Sequence, residues 1–173
     1  TFWIAHPLQT AGKSALVIGS GLGGDAEQLA AWGFRTTAFD ISETAIRATR
    51  KRFPNSIVDY HAANLLNPPS DWRGNFDFVF EANTLQVLPA VLRPQAIKNV
   101  AAFLRRGGLL LVIARGREPS EPEGQMPWPL TRAEVAAFTA LGLEELFFDI
   151  VPDVDEPDVR RFRVLFRRPQ PAA

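Results

Sequence analysis

Residues 19–24 read "GSGLGG", and Asp40 closes the strand-like run "TTAFD" a short distance later. Gly19, Gly21 and Gly24 satisfy G-x-G-x-x-G, a spacing in which small residues let a turn pass close to a ligand and aim backbone amides at it. A carboxylate roughly 20 residues beyond such a turn can accept hydrogen bonds from both hydroxyls of a ribose. The chemistry this predicts is the holding of an adenosine-containing molecule. Glycines do not say which one, since a nicotinamide dinucleotide and S-adenosylmethionine both suit them. Asp40 also has a plainer use, as an exposed acid next to the helix that Ser42 introduces.

Two further residues stand where chemistry is expected. Glu81 ends "FDFVFEA" and Arg115 ends "GLLLVIAR", both at carboxyl ends of apolar runs. Glu81 could bind a cofactor amino group, orient a second reactant or join a proton network, or it could bridge to Arg115 as support for a cleft. Thr84, Gln86 and Arg115 are candidate polar linings of an acceptor pocket, with Leu85, Leu88 and Trp128 as apolar walls. His6 and His61 are too far apart to form a ligand spacing, and no metal site is expected.

The elements that must position these residues follow from periodicity. Ala15–Ile18 is a short apolar run entering the glycine turn, and Asp25–Trp32 has helical spacing. A second strand ends at Asp40, and a helix runs from Glu43 to about Phe53, where Pro54 stops it. "SIVDYHAANLL", "FDFVFEA" and "GLLLVIA" predict three more strands, with a helix over Pro94–Leu104. Runs apolar on both faces, separated by helices, predict a parallel sheet covered on both sides. Gly116–Pro129 is rich in Gly, Pro and charge and reads as a long loop suited to a lid. "LTRAEVAAFTALG" reads as a helix with a capping box from Thr131 to Glu134. The two last strand-like runs have no helix between them, so they should pair antiparallel. The arginines at 160, 161, 163, 167 and 168 alternate partly with Phe162, Val164 and Phe166, as on a strand with one solvated face.

Composition narrows the partners. The 173 residues suit one domain, and 19 basic against 19 acidic residues leave no broad positive field for nucleic acid. With no cysteine there are no disulfides and no thiolate ligands or nucleophiles. "LLLVI" is too short to span a bilayer, and the expected setting is cytoplasmic, as a monomer.

Through "LVIGSGLGGDAEQLAAWGFRTTAFDIS", "YHAANLL", "FDFVFEANTLQVLP" and "LRRGGLLLVIARG", the chain resembles class I S-adenosylmethionine-dependent methyltransferases, among them small bacterial members related to thiopurine, halide and thiol methyltransferases. The resemblance implies an α/β fold, a three-layer Rossmann-like sandwich. Its seven-stranded mixed sheet would run in the order 3-2-1-4-5-7-6, with strand 7 antiparallel and three helices on either face. It implies that Gly19, Ser20, Gly21, Gly23 and Asp25 border the methionine part of S-adenosylmethionine, that Asp40 holds the ribose, and that Ile41 lies against the adenine. Asn64 stands where relatives have an aspartate for the adenine amino group and, with Leu65, completes that end; Glu81 approaches the methionine portion. The implied reaction is methyl transfer to a small nucleophile, a thiol or halide, releasing S-adenosylhomocysteine without a metal. Only Thr1–Lys13 precede the first strand, so residues 1–173 read as a single domain short of part of an N-terminal cover, with Phe2 and Trp3 either its remnant or a seal on the sheet edge.

Overall fold

A computed structural model describes residues 10–153 and 156–170. Phe2, Trp3 and His6 lie outside the described residues. Strands β1 (Ser14–Ile18), β2 (Arg35–Asp40), β3 (Asp59–Ala62), β4 (Phe76–Ala82), β5 (Leu104–Arg115), β6 (Glu144–Pro152) and β7 (Arg160–Arg167) form one sheet in the order β3-β2-β1-β4-β5-β7-β6. The first five pair in parallel, while β7 is antiparallel to both β5 and β6. The seven-stranded mixed sheet implied by the family resemblance is therefore present.

Alternation along each strand splits the core into two layers. Leu16 and Ile18 of β1 join Val79 of β4 and Val112 of β5 on one face, against Ala96, Ile97 and Val100 of helix α3 (Arg93–Phe103). Ala15 and Val17 take the opposite face with Phe78 and Phe80, under Ala26 and Leu29 of α1 (Gly24–Ala31) and Ile46 of α2 (Glu43–Arg52). Phe39, Trp72 and Phe103 form an aromatic group under the cleft end of β2, with Phe39 and Trp72 ring centres 5.0 Å apart.

Three sequence expectations change. The third strand keeps only Asp59–Ala62, because Asn64 leaves the ladder for a tight turn in which its Oδ1 accepts from the Leu66 N–H at 2.9 Å. The helix read over residues 130–142 is α4 (Arg132–Ala136) followed by a 3₁₀ turn, Ala137–Leu141, although the Thr131–Glu134 capping box forms. Among the described residues there are four α-helices rather than three on either face, and short 3₁₀ turns at Leu85–Val87 and Ala90–Leu92 lead from β4 into α3, which forms where a helix was expected. The C-terminal pair is antiparallel as expected. Its arginines meet acids across the pair: Arg163 faces Asp149, and Arg167 bonds Glu144 at 2.6 Å. A bulge between Glu145 and Phe147 interrupts β6, the outermost strand on that side.

Candidate active site

The carboxyl ends of β1, β2 and β4 open into a cleft of about 500 Å³, whose walls include Gly19, Asp40, Ile41, Asn64 and Leu65. The sheet's order reverses between β1 and β4, so the loops leaving them diverge to opposite faces and leave a crevice at their ends.

The glycine turn needs its glycines. Gly19, Gly21 and Gly23 have φ of 63°, 51° and 83°, conformations that a Cβ disfavours. At Gly19 a Cβ would also lie 2.2 Å from Thr84 Oγ1, whereas at Gly21 it would meet no protein atom within 4 Å. Gly24, although it completes the letter pattern, has no positive φ and opens α1. Asp25, the next residue, is exposed in the first turn of α1, where a carboxylate suits the positive end of the helix dipole.

Asp40 ties two segments together. Its Oδ2 accepts from the Gly21 N–H at 2.9 Å and its Oδ1 from the Ser42 N–H at 2.8 Å. Ser42 in turn caps α2 by accepting from the Ala45 N–H at 3.2 Å. Ribose-holding and helix-initiating uses are thus compatible, since each carboxylate oxygen keeps a further lone pair for a ligand hydroxyl. Ile41 is 72% exposed on the lip, an apolar surface available to a flat base. Asn64 spends its side-chain oxygen on the Leu66 amide, and Leu65 is buried on the cleft wall.

Glu81 and Arg115 are not brought together. Glu81 is fully buried, and its Oε1 accepts from the amides of Thr84 at 2.7 Å and Leu85 at 2.9 Å, shaping the turn after β4. Its Oε2 is buried without a partner, and burial pushes the carboxyl up to about 7 despite those two amides. Arg115 instead pairs with Glu156 at 2.7 Å. Gln86 is fully buried too: its Oε1 accepts from the Arg115 N–H at 2.8 Å, and its Nε2 donates to the Trp128 carbonyl at 3.0 Å. It fastens the Gly116–Pro129 loop instead of lining a pocket. Thr84, Leu88 and, unforeseen from the sequence, Asn83, Val87 and Leu92 do line the cleft. Among the described residues no group of three or more His, Cys, Asp or Glu is placed to hold a metal.

The sites fit S-adenosylmethionine on observations of this chain alone. The Asp40 carboxylate, with lone pairs left for ligand hydroxyls, and the exposed apolar lip of Ile41 face one cleft, beside a glycine turn with open space at Gly21. Ser20 Oγ, just beyond β1, is buried with no partner, as is Glu81 Oε2 near the end of β4, and neither residue is on the cleft wall.

Comparison with known proteins agrees. Residues 15–108 match the family described as a methyltransferase domain. A ubiquinone biosynthesis O-methyltransferase of Aromatoleum aromaticum is 36% identical over 108 residues, 61% of this chain and 45% of that enzyme, so the matched part spans less than half of the relative. A Methanosarcina mazei S-adenosylmethionine-dependent methyltransferase superposes with a TM-score of 0.81 at 19% identity, covering 96% of this chain and 97% of that one. The Burkholderia thailandensis 1,6-didemethyltoxoflavin N1-methyltransferase, solved with 1,6-didemethyltoxoflavin and S-adenosylhomocysteine, gives 0.77 at 17% identity, covering 92% of this chain and 72% of that one. At such identities the structural likeness speaks for the fold, and the family match for descent. With more than half its length matched, the chain belongs to the methyltransferase-domain family.

Proposed function

We propose that this protein is a cytoplasmic enzyme that transfers a methyl group from S-adenosylmethionine to a small-molecule nucleophile. The observation that carries the proposal is Asp40: both of its oxygens are oriented by backbone amides, at the junction of the glycine turn and β2, on the cleft wall. When bound, S-adenosylmethionine supplies an electrophilic methyl group on a positively charged sulfur. The chain has to grip the nucleoside, hold the turn after β4 in place and keep bulk water from the reacting atoms. Asp40 does the first, with Ile41, Asn64 and Leu65 at the base and Gly19, Ser20, Gly21, Gly23 and Asp25 at the amino-acid end. Glu81 does the second through the Thr84 and Leu85 amides. Arg115 stands on the far side of that turn, among the supports of the acceptor end.

For the acceptor, the 36% identical relative is an O-methyltransferase, which favours an oxygen nucleophile over the thiol or halide expected from the sequence. A nucleophile already ionised needs positioning more than a general base, in keeping with a cleft lined largely by apolar and neutral residues.

Calorimetric titration tests the cofactor half. The chain should bind S-adenosylhomocysteine and show no comparable affinity for NAD, and Asp40→Ala should weaken that binding by about 1.5–3 kcal/mol, the range of charge-assisted hydrogen bonds. Micromolar NAD binding with none of S-adenosylhomocysteine would defeat the proposal. An acceptor screen over phenols, thiols and halides, read as S-adenosylhomocysteine release, tests the other half.

A further inference from the structure

Asn83 is the one described residue other than glycine with a positive φ, 64°. Asparagine enters the left-handed region more readily than most side chains, and the conformation persists where its surroundings hold it. Here it is held from two sides. The Asn83 N–H donates to the Ile113 carbonyl of β5 at 3.0 Å, and its Oδ1 accepts from Arg161 Nη1 of β7 at 2.5 Å. Arg161 is in turn fixed by an ion pair from its Nε to Asp153.

These contacts settle which way the amide faces. A guanidinium carries only donors, so Oδ1 must turn toward Arg161, and the NH₂ must turn away from it. That NH₂ has no hydrogen-bond partner among the described residues, and Asn83 lines the cleft. Its supports come from β5 and β7, while Asp40 and the glycine turn belong to β2 and β1, on the other side of β4. A nucleoside held at Asp40 therefore leaves the Asn83 end for the second reactant.

We propose that Asn83 is a specificity-determining residue: its amide NH₂ donates to a phenol-type oxygen of the methyl acceptor, with Arg161 as the positioning residue that aims it. The proposal rests on the methyl-transfer function above and names the acceptor class. A fixed neutral donor favours an oxygen lone pair, and the ionised oxygen over the hydroxyl. The apolar side chains of Val87, Leu88 and Leu92 in the same cleft suit the ring that carries it.

The probe is 4-nitrophenol, titrated into the protein saturated with S-adenosylhomocysteine, because its absorbance reports ionisation of the bound phenol. The wild-type complex should bind it and ionise it at a lower pH than in free solution. Asn83→Gly tolerates the positive φ and deletes only the amide; it should weaken nitrophenol binding tenfold or more and abolish the shift, with S-adenosylhomocysteine affinity held within twofold. Asn83→Asp keeps the Arg161 partner but faces the cleft with a charged acceptor, and should exclude nitrophenolate equally. Arg161→Met should lose the ionisation shift while retaining part of the binding. Equal nitrophenol binding by wild type and Asn83→Gly, no binding by the wild-type complex, or a loss of S-adenosylhomocysteine affinity that parallels the loss of nitrophenol would each overturn the assignment. Failure of the wild type to bind S-adenosylhomocysteine at all would instead sink the methyl-transfer function.

Discussion

At Glu81 a carboxyl group sits without exposure, one oxygen serving two amides and the other unpaired. A carboxyl raised to about 7 from the ordinary 4.5 binds its proton more tightly in the folded chain than in the unfolded one. The stability this gives is fully present below pH 4.5 and is lost as pH rises through about 7. The loss amounts to about 3 kcal/mol by linkage. We predict that Glu81→Gln, which keeps an acceptor for the Thr84 and Leu85 amides, flattens this slope; urea denaturation of both proteins at pH 5 and pH 8 measures it. Parallel slopes in wild type and variant would remove Glu81 as the source. The same residue shows what a sequence conceals. Its position at a strand's carboxyl end was legible, and so were the glycine turn and Asp40, because their spacing is local. Its partners were not: the sequence offered a cofactor amino group, a second reactant, a proton network or a bridge to Arg115, and the Thr84 and Leu85 amides it serves appear only in the turn's geometry.

The 3₁₀ turn after β4 and the loop after β5 are fastened to each other through Gln86. Its side chain answers the Arg115 N–H and the Trp128 carbonyl, and its own carbonyl accepts from the Trp128 N–H at 2.9 Å. Gln86→Leu leaves a buried donor and acceptor without partners, a cost of about 2–6 kcal/mol at 1–3 kcal/mol each. We expect that variant to unfold at lower urea and to lose amide protection first in residues 116–129, by hydrogen exchange. Protection unchanged there would mean the loop is held by other contacts. The strands and the loop itself were readable from runs of Val, Leu, Ile and Phe between turn residues, since periodicity is a property of neighbours, whereas the order of the strands came only from the family resemblance. The fastening was not, because Gln86 and Arg115 are separated by 29 residues, and Asn83 and Arg161 by 78. The helix after Thr131 was read too long for a related reason: its capping box is local and formed, but its last turns tighten to 3₁₀ where Phe138 packs on Phe166 of β7.

Over the whole molecule charges cancel, with 19 basic residues against 19 acidic. His61 is engaged with Asp59 at 2.8 Å, and no metal-holding group is assembled among the described residues. We predict that prolonged chelation leaves both the unfolding temperature and S-adenosylhomocysteine affinity unchanged; a fall in either, reversed by one added metal, would contradict this. The paired arginines and acids of β6 and β7 bear on something beyond the site. β6 ends the sheet, and a terminal strand offers a row of unspent backbone groups on which another chain can build. At the other end β3 is only four residues long, too little to template growth. β6 is nine residues long and carries Leu146 and Ile150 partly exposed, so it needs other protection. The bulge at Glu145–Phe147 breaks its regular register, Pro152 lacks a donor at its end, and Glu144 and Asp149, with the arginines opposite them, bring charge along its length. An incoming strand would have to bury those charges and match that irregularity, so the same ladder that closes the sheet also guards the protein against fibrillar self-association.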